Sequence, residues 1–553
     1  MDSSKKSRKG GTPFSFGLVV AGVAGALVLL SAADYVLMPV LAWNFAGWQL
    51  LPLALALGWT WRLQETRRRP TWEDEPSEKA GPSIKNPFWA TVGVASIWLL
   101  FVLASSLGVF HAKAYRQILG TPTQEGPALP KLNIDSAPLV SRQMALQEAQ
   151  KLLSQQPGLG SQVEIGVMAK QVVNGNLVWV GFLEHSGVIK WMANGSTPGY
   201  VVVSATDPAN ARLVTGFHLR YLESGLFWDN VERVAYFADP FDGQRSFTPE
   251  LDENGRPFWV VTLYQHEVGF AGDKAIGVLT VDAQTGRVTR YALSNLPAWI
   301  DLAQSPSILA DEVNNWGRYV HGWLNAEFGG KDVVGVAGKL DLLYGDNGRA
   351  YWFAGLSSVG ADNGNTGFML LDSRTGKAYQ YQLAGASQAV AQTAVEGLVR
   401  ANQYHATNPL VFLVQGEPTY VMTLTDATGI VRGYGLVSVK NYQVAVFAPN
   451  LADAVRAYGD KLHENGFTVN QFTKTQHAVG AIERKGIDIR GGNSVYYLWI
   501  QGVAPLLTGT SDISQELPVL QAGDTVSVGY AEGKGRTAAL ISLKVVRFQA
   551  SGK

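Results

Sequence analysis

Residues 253–259 read ENGRPFW and residues 346–352 read DNGRAYW, the same turn and the same aftermath spelled twice. A chain that repeats a turn in this way has to fold as a repeat, and that constrains it more than any bulk property. Asn-Gly tolerates the positive φ of a tight hairpin. The strands that follow, PFWVVTL and AYWFAGL, are aromatic and β-branched. Each copy then enters a second strand pair, GVLTVDAQTGRVTRYAL from residue 277 and GFMLLDSRTGKAYQYQL from residue 367. Landmarks here are offset by ninety positions: Gly277 with Gly367, Asp282 with Asp372, Gly286 with Gly376, Tyr291 with Tyr381. Asp-x-x-Thr-Gly is a hairpin loop, with Asp opening the turn and Gly at its left-handed position.

Two fainter copies flank this pair. VNGNLVW carries Asn174, Gly175 and Trp179, and VQGEPTYVMTL carries Tyr420. The structural residues expected from the four copies are Asn174, Gly175, Trp179, Asn254, Gly255, Trp259, Asp282, Gly286, Asn347, Gly348, Trp352, Asp372, Gly376 and Tyr420. Amphipathic stretches such as SRQMALQEAQKLL precede three of the copies. The unit so predicted is a helix on a small antiparallel meander. One such unit buries little alone, so neighbours must stack.

On the Asp-x-x-Thr-Gly-x-Val turn, matched by Asp282, Thr285, Gly286 and Val288 and less fully by Asp372, Thr375 and Gly376, the unit resembles the PepSY type of domain. Ser204 stands where the first copy would need Asp, and the fourth turn is shortened to Asp426–Gly429. The chain is also similar to uncharacterised bacterial and phage membrane proteins with such ectodomains. The resemblance implies a non-catalytic envelope role in regulation, protein binding or scaffolding.

Residues 14–33, 38–61 and 88–110 are three uncharged runs, each long enough to cross a hydrocarbon core. Basic clusters at Lys5–Lys9 and Arg67–Arg69 place the N-terminus and the 62–87 loop on the cytoplasmic side. The resulting expectation is a multi-pass cytoplasmic (inner) membrane protein with an extracytoplasmic body. The fold class expected is α+β: three N-terminal transmembrane helices, four helix-plus-meander PepSY-like repeats and a small C-terminal β-barrel, OB-like or SH3-like. Its division is a tail over 1–13, a transmembrane hairpin over 14–61, a loop over 62–87, a third span over 88–110 and a linker over 111–138. Repeats follow over 139–215, 216–300, 301–384 and 385–468, then the barrel over 469–553.

The barrel segment has nine Lys+Arg and six Asp+Glu. Tyr497 and Trp499 share one face of a strand and Tyr496 the other. The alternating pair is expected to fill the barrel. The competing reading is that Tyr496, Tyr497 and Trp499, beside Arg484 and Lys485, contact nucleic acid or a partner. Residues 117–553 hold 33 basic against 38 acidic side chains, which argues against nucleic acid.

The chain has no cysteine, and its eight histidines show no metal-ligand spacing. His266-Glu267 reads as part of a solvated loop. No hydrolase, phosphate-loop or dinucleotide motif occurs. Neither catalytic residue, cofactor nor metal is expected, and the partners expected are the membrane, other envelope proteins or further copies of the chain. The function expected is a membrane-anchored envelope scaffold or protein-docking ectodomain. Its alternatives are a component of a DNA-transfer or secretion apparatus, and an enzyme of unknown type.

Overall fold

A computed structural model describes residues 28, 30–68, 87–134, 137–346, 348–358, 364–465, 475–490, 493–511, 513–531 and 537–547. Strands dominate it, at 39% of the chain. Four antiparallel sheets follow one another. The first is β1 (Val163–Val173), β2 (Asn176–His185), β3 (Thr197–Ser204) and β4 (Ala211–Leu219), paired in chain order. The second is β5 (Gly243–Leu251), β6 (Pro257–Val268), β7 (Ala271–Asp282) and β8 (Val288–Ala292). In the third, β10 (Asp341–Tyr344), β11 (Ala350–Ser358), β12 (Gly364–Asp372) and β13 (Ala378–Tyr381) form the same meander. Two short strands, β9 (Val334–Val336) and β14 (Gly385–Ala386), are added at its edges. The fourth is β15 (His405–Val414), β16 (Glu417–Thr425), β17 (Val431–Ser438) and β18 (Ala445–Ala448).

Side chains alternate between the two faces of a strand, so an unbroken buried run means that both faces are covered. From Val178 to His185 every residue of β2 is buried, and β7 is buried from Gly277 to Asp282. The covering comes from neighbouring sheets. Val180, Phe182 and Val202 pack on Trp259, Val261 and Leu279 between sheets one and two. Val260 and Val278, on the second sheet's other face, meet Ile300 and Ala303 of the connection to sheet three. Phe353, Phe368 and Leu370 pack on Val411, Val421 and Leu436 between sheets three and four. Val431 of the fourth sheet closes onto the core beneath the first. Four meanders in a closed ring, with first strands innermost, form a four-bladed propeller arrangement.

This overturns the expected α+β class with helical PepSY-like repeats. Helices α4 (Arg142–Ser154), α5 (Val231–Ala238), α6 (Pro306–Arg318) and α7 (Gln388–Leu398) do precede the sheets. Each is short beside the meander it precedes, and the main burial is sheet against sheet. The bulky β-branched strands drive this, because a single 13-residue helix such as α4 cannot cover both faces of a four-stranded sheet.

The three transmembrane helices and the multi-pass inner-membrane placement are corrected as well. Among the described residues one helix is long and apolar enough to cross a membrane, the Phe88–Ser106 stretch, with mean hydropathy 1.9. It lies in α2 (Pro87–Ser106). The second apolar run breaks: Met38 has φ 44°, Asn44 and Phe45 are buried, and helix α1 (Gly47–Arg68) starts only at residue 47, with Pro52 inside it. Residues 38–46 run against the second sheet and its approach: Leu41 N–H donates to Pro240 O and the buried Phe45 stacks on His266. Of the first run, residues 14–27 and 29 lie outside the described residues. With the hairpin goes the orientation inferred from it.

After α8 (Leu451–Glu464), five strands close a barrel: β19 (Thr475–Arg490), β20 (Asn493–Ile500), β21 (Leu506–Thr510), β22 (Thr525–Ala531) and β23 (Thr537–Arg547). Their order is β19-β20-β21-β23-β22, with β21 and β23 parallel. That is a five-stranded OB-type barrel.

Candidate functional site: a central cavity in the ring

The repeated words are two halves of one clasp. The Arg that ends each Asn-Gly-Arg reaches the Asp that opens the next Asp-x-x-Thr-Gly turn. Arg256 pairs with Asp282 at 2.7 Å and Arg349 with Asp372 at 2.8 Å. Each aspartate also accepts backbone N–H groups of its own loop, from Gln284 and Thr285 or from Arg374 and Thr375. Gly286 and Gly376 take φ of 70° and 73°. Asn174-Gly175 has positive φ at both residues; Gly255 and Gly348 have it too, whereas Asn254 does not, and Asn347 lies outside the described residues. These residues are structural.

The aromatic after each turn points to the site. Trp179 Nε1–H donates to Val140 O, Trp259 Nε1–H to Tyr221 O, and the Tyr420 hydroxyl to Ala386 O. Each acceptor lies on a segment leading to the sheet's helix, and each segment is held by the residue after the start of the turn between the last two strands. Those bonds run from Val140 N to Ala205 O, Tyr221 N to Ala283 O, Gln304 N to Ser373 O and Ala386 N to Val439 O. In the fourth sheet that turn starts at Ser438, not at the expected Asp426, whose loop joins β16 to β17. In the third sheet the pattern breaks. Trp352 Nε1 and Gln304 Oε1 are both buried and both without a hydrogen-bond partner.

Both residues line a cavity of about 590 Å³ at the centre of the ring, within the range of small-molecule sites. All four innermost strands or their approaches reach it, through Met168 and Lys170, Ser246 and Thr248, Leu340 and Asp341, and Thr407 and Leu410. β1, β5 and β15 each carry a bulge at this level, and bulges re-aim side chains. In β5 the bulge puts Ser246 at φ 57°, where its hydroxyl donates to Ser305 Oγ at 2.8 Å.

Lys170 is the buried cation of this cavity, whose lining also holds Asp341 and the exposed Arg142 and Lys339. It is 7% exposed, and its ammonium lies over the Trp179 ring, 4.9 Å from the centroid. Among the described residues no carboxylate stands within ion-pair distance of it. Burial lowers its pKa to about 8, against the attraction of Asp341, so it stays largely protonated at neutral pH. Burial also raises the Asp341 carboxyl, which accepts from Gln388 Nε2 at 2.8 Å.

Nearby, side chains knit the strands together. Gln171 exchanges two amide bonds with Leu251 like an extra strand residue, and Tyr344 hydroxyl donates to Lys170 O. Glu250 accepts from Asp301 N and Leu302 N at 2.8 and 3.0 Å, while Asp301 accepts from Val172 N at 2.7 Å. Burial pushes Glu250 up to about 8 and Asp301 up to about 6. The Arg374 guanidinium binds the carbonyls of Leu296, Ala298 and Ile300.

The barrel reverses an expectation. Tyr496, Leu498 and Ile500 are its buried face, while Tyr497 is half-buried and Trp499 is 37% exposed. The alternating pair faces outward because Tyr496, Leu498 and Ile500 are the β20 residues that pack with Ile482, Leu507 and Val526 in the barrel core. Arg484 lies over Trp499 at 5.2 Å, and Lys485 is spent on Pro518 O and Leu520 O. His266 is no loop residue either: it lies within β6, opposite Asp273 of β7, and its ring bonds the Asp273 carboxylate at 2.8 Å. Among the described residues no group of His, Asp and Glu could hold a metal ion.

Sequence reasoning missed Lys170, Gln304 and the Glu250–Asp301 pair. The legible signal was a lysine inside the otherwise uncharged stretch IGVMAKQVV of β1.

No family model matches the chain, and no curated protein matches it. Among solved structures it is similar to the Ifi202 HINa domain in complex with 20-bp double-stranded DNA, at 12% identity over 26% of this chain and 92% of that one, TM-score 0.11. An exo-β-1,3-galactanase from Phanerochaete chrysosporium shows 10% identity over 71% of this chain and 70% of that one, TM-score 0.18. The Trypanosoma rangeli sialidase shows 11% over 68% and 54%, TM-score 0.17. Likeness at this level carries neither fold nor function.

Proposed function

We propose that the ring is a non-catalytic binding module that holds a small, hydroxyl-bearing monoanion, of the size and chemistry of a uronic acid, in its central cavity. One observation carries the reading: Trp352 Nε1–H and Gln304 Oε1 are left without partners in the one sheet where the repeat's internal bond is not made. A buried donor and acceptor cost free energy unless something pairs with them. Lys170 supplies the countercharge, Trp179 and Trp352 supply flat apolar walls, and Ser246 and Thr248 supply hydroxyls. The scaffold role expected from the sequence fits this reading, since the ring would present its outer surface unchanged whether or not the cavity is filled.

Calorimetric titration of the purified full chain with glucuronate, glucose and a mixed panel of hydroxy acids tests it. Glucuronate or a related monoanion binds at micromolar concentration, glucose does not, and Lys170→Met removes binding while the fold persists. Absence of binding by every monoanion in the panel would sink the proposal.

A second reading rests on the outward Tyr497 and Trp499 beneath Arg484: the barrel contacts single-stranded nucleic acid, as a transfer-apparatus component would. The test is anisotropy of a labelled oligonucleotide at low and moderate salt, because phosphate contacts weaken steeply as salt rises.

A further inference from the structure

Helix α2 meets the ring rigidly. Ser106 Oγ accepts the Phe270 N–H at 2.9 Å, and Ser106 O accepts the Tyr115 hydroxyl at 2.6 Å. At Gly269 the backbones approach so closely that a Cβ would stand 2.3 Å from Ser105 O. No part of the apolar window of α2 is buried; among the described residues α1 lies along one side of it, where Trp98 Nε1–H donates to Gln49 Oε1, and its other sides stay open. Its twenty residues span about 30 Å, the thickness of a hydrocarbon core. With α2 in a bilayer, residues near Ser106 stand at headgroup level.

Two groups of aromatic rings, joined by the segment 34–45, extend from that point across the second sheet. Phe101 contacts Phe270, and Phe270 contacts Trp43. The segment 34–45 then runs along the sheet, tied by Tyr236 hydroxyl to Asp34 and Pro39. At its far end Tyr35 meets Trp228 edge-on and stacks on Phe237. Trp43, Phe110, Trp228 and Phe241 are all well exposed, at 68, 67, 59 and 60%. Aromatic residues of this kind concentrate at the membrane–water boundary.

We infer that this face of the ring lies on the lipid surface, so that the propeller is docked edge-on against the bilayer rather than hanging free from α2. The occupant is lipid, because the first group of rings begins on the helix whose length and composition suit a bilayer and continues from it without a polar break between Phe101 and Trp43.

The chain has no cysteine, so single cysteines can carry spin labels cleanly. Full-length protein is reconstituted into phosphatidylcholine vesicles with labels at Ile97→Cys, Trp228→Cys, Phe241→Cys or Gln443→Cys. Relaxation by oxygen, which partitions into lipid, is compared with relaxation by a water-soluble nickel chelate. Labels at 97, 228 and 241 are expected to respond to oxygen several-fold more than the exposed control at 443, with 228 and 241 shallower than 97. Labels at 228 and 241 as open to nickel as 443, while 97 stays in lipid, would overturn the docking. So would labels at 228 and 241 shielded from both reagents, which would mean a protein partner or a second copy. Water exposure at 97 would overturn the anchor on which the docking rests.

Discussion

Replacing Glu250 by Gln should change how stability depends on pH more than it changes stability itself. Glu250 is wholly buried, and its carboxyl accepts two backbone N–H groups from the connection to the third sheet. In the unfolded chain it titrates near 4.5 and Asp301 near 3.8; folded, they are raised to about 8 and about 6. Between these limits the folded state holds protons that the unfolded state has released. Stability is therefore greatest below pH 4.5 as far as this pair is concerned, and falls as pH rises toward 8. Each extra proton held corresponds to about 1.4 kcal/mol per pH unit. From pH 5 upward Glu250 holds its extra proton over about three pH units and Asp301 over about one, so the loss by pH 9 is at most about 5 kcal/mol, and smaller because the two titrate as a pair. Glu250→Gln keeps one acceptor oxygen and removes the titrating group. The variant should be less stable than the parent at pH 5 and should close or reverse the gap by pH 9. Urea unfolding followed by tryptophan fluorescence, at unit pH steps, measures this. Parallel curves for parent and variant would show that Glu250 is ionised in the folded ring, and would refute the reasoning.

Gly286→Val and Gly376→Val should each destabilise by roughly 1 kcal/mol or more, because both positions need positive φ. Thermal unfolding should show the larger loss at Gly286, where a Cβ meets the Tyr221 ring at 2.5 Å, whereas at Gly376 it meets only the Gln304 side-chain amide at 3.2 Å. Trp259→Phe should cost about 1–2 kcal/mol through the lost bond to Tyr221 O; Trp352→Phe loses no such bond and should instead weaken glucuronate binding in the calorimetric assay. Trp499→Ala should leave the melting temperature within a degree or two, and an oligonucleotide affinity unchanged by it would remove the nucleic-acid reading, since stacking contributes on the order of 1–3 kcal/mol per base.

The turns were legible in the sequence because their chemistry is local. Gly286 and Gly376 sit where a left-handed backbone is required, and Asp282 and Asp372 accept from N–H groups two and three residues on. Neighbours along the chain suffice for that, so the four-fold repetition could be read directly. The apolar run in α2 was legible for the same reason, as length and composition are properties of one segment. The run at 38–46 was misread on that same logic: an apolar stretch meant for a bilayer and one meant for a sheet face look alike until Phe45 is found against His266.

What tertiary structure alone decided is the ring and everything at its centre. Whether a strand's second face meets a helix, water or another sheet depends on residues eighty or more positions away, as Gln171 with Leu251 shows. The facing of Tyr497 and Trp499 was decided by which side of β20 meets Ile482, Leu507 and Val526 when the barrel closes, which alternation along one strand does not announce. Lys170 comes from the first repeat and Gln304, Asp341 and Trp352 from the third, and apart from Trp352 none lies in a repeated motif. Closing the ring brings them to one cavity, and only there does burial turn an ordinary lysine and an unbonded indole into a site.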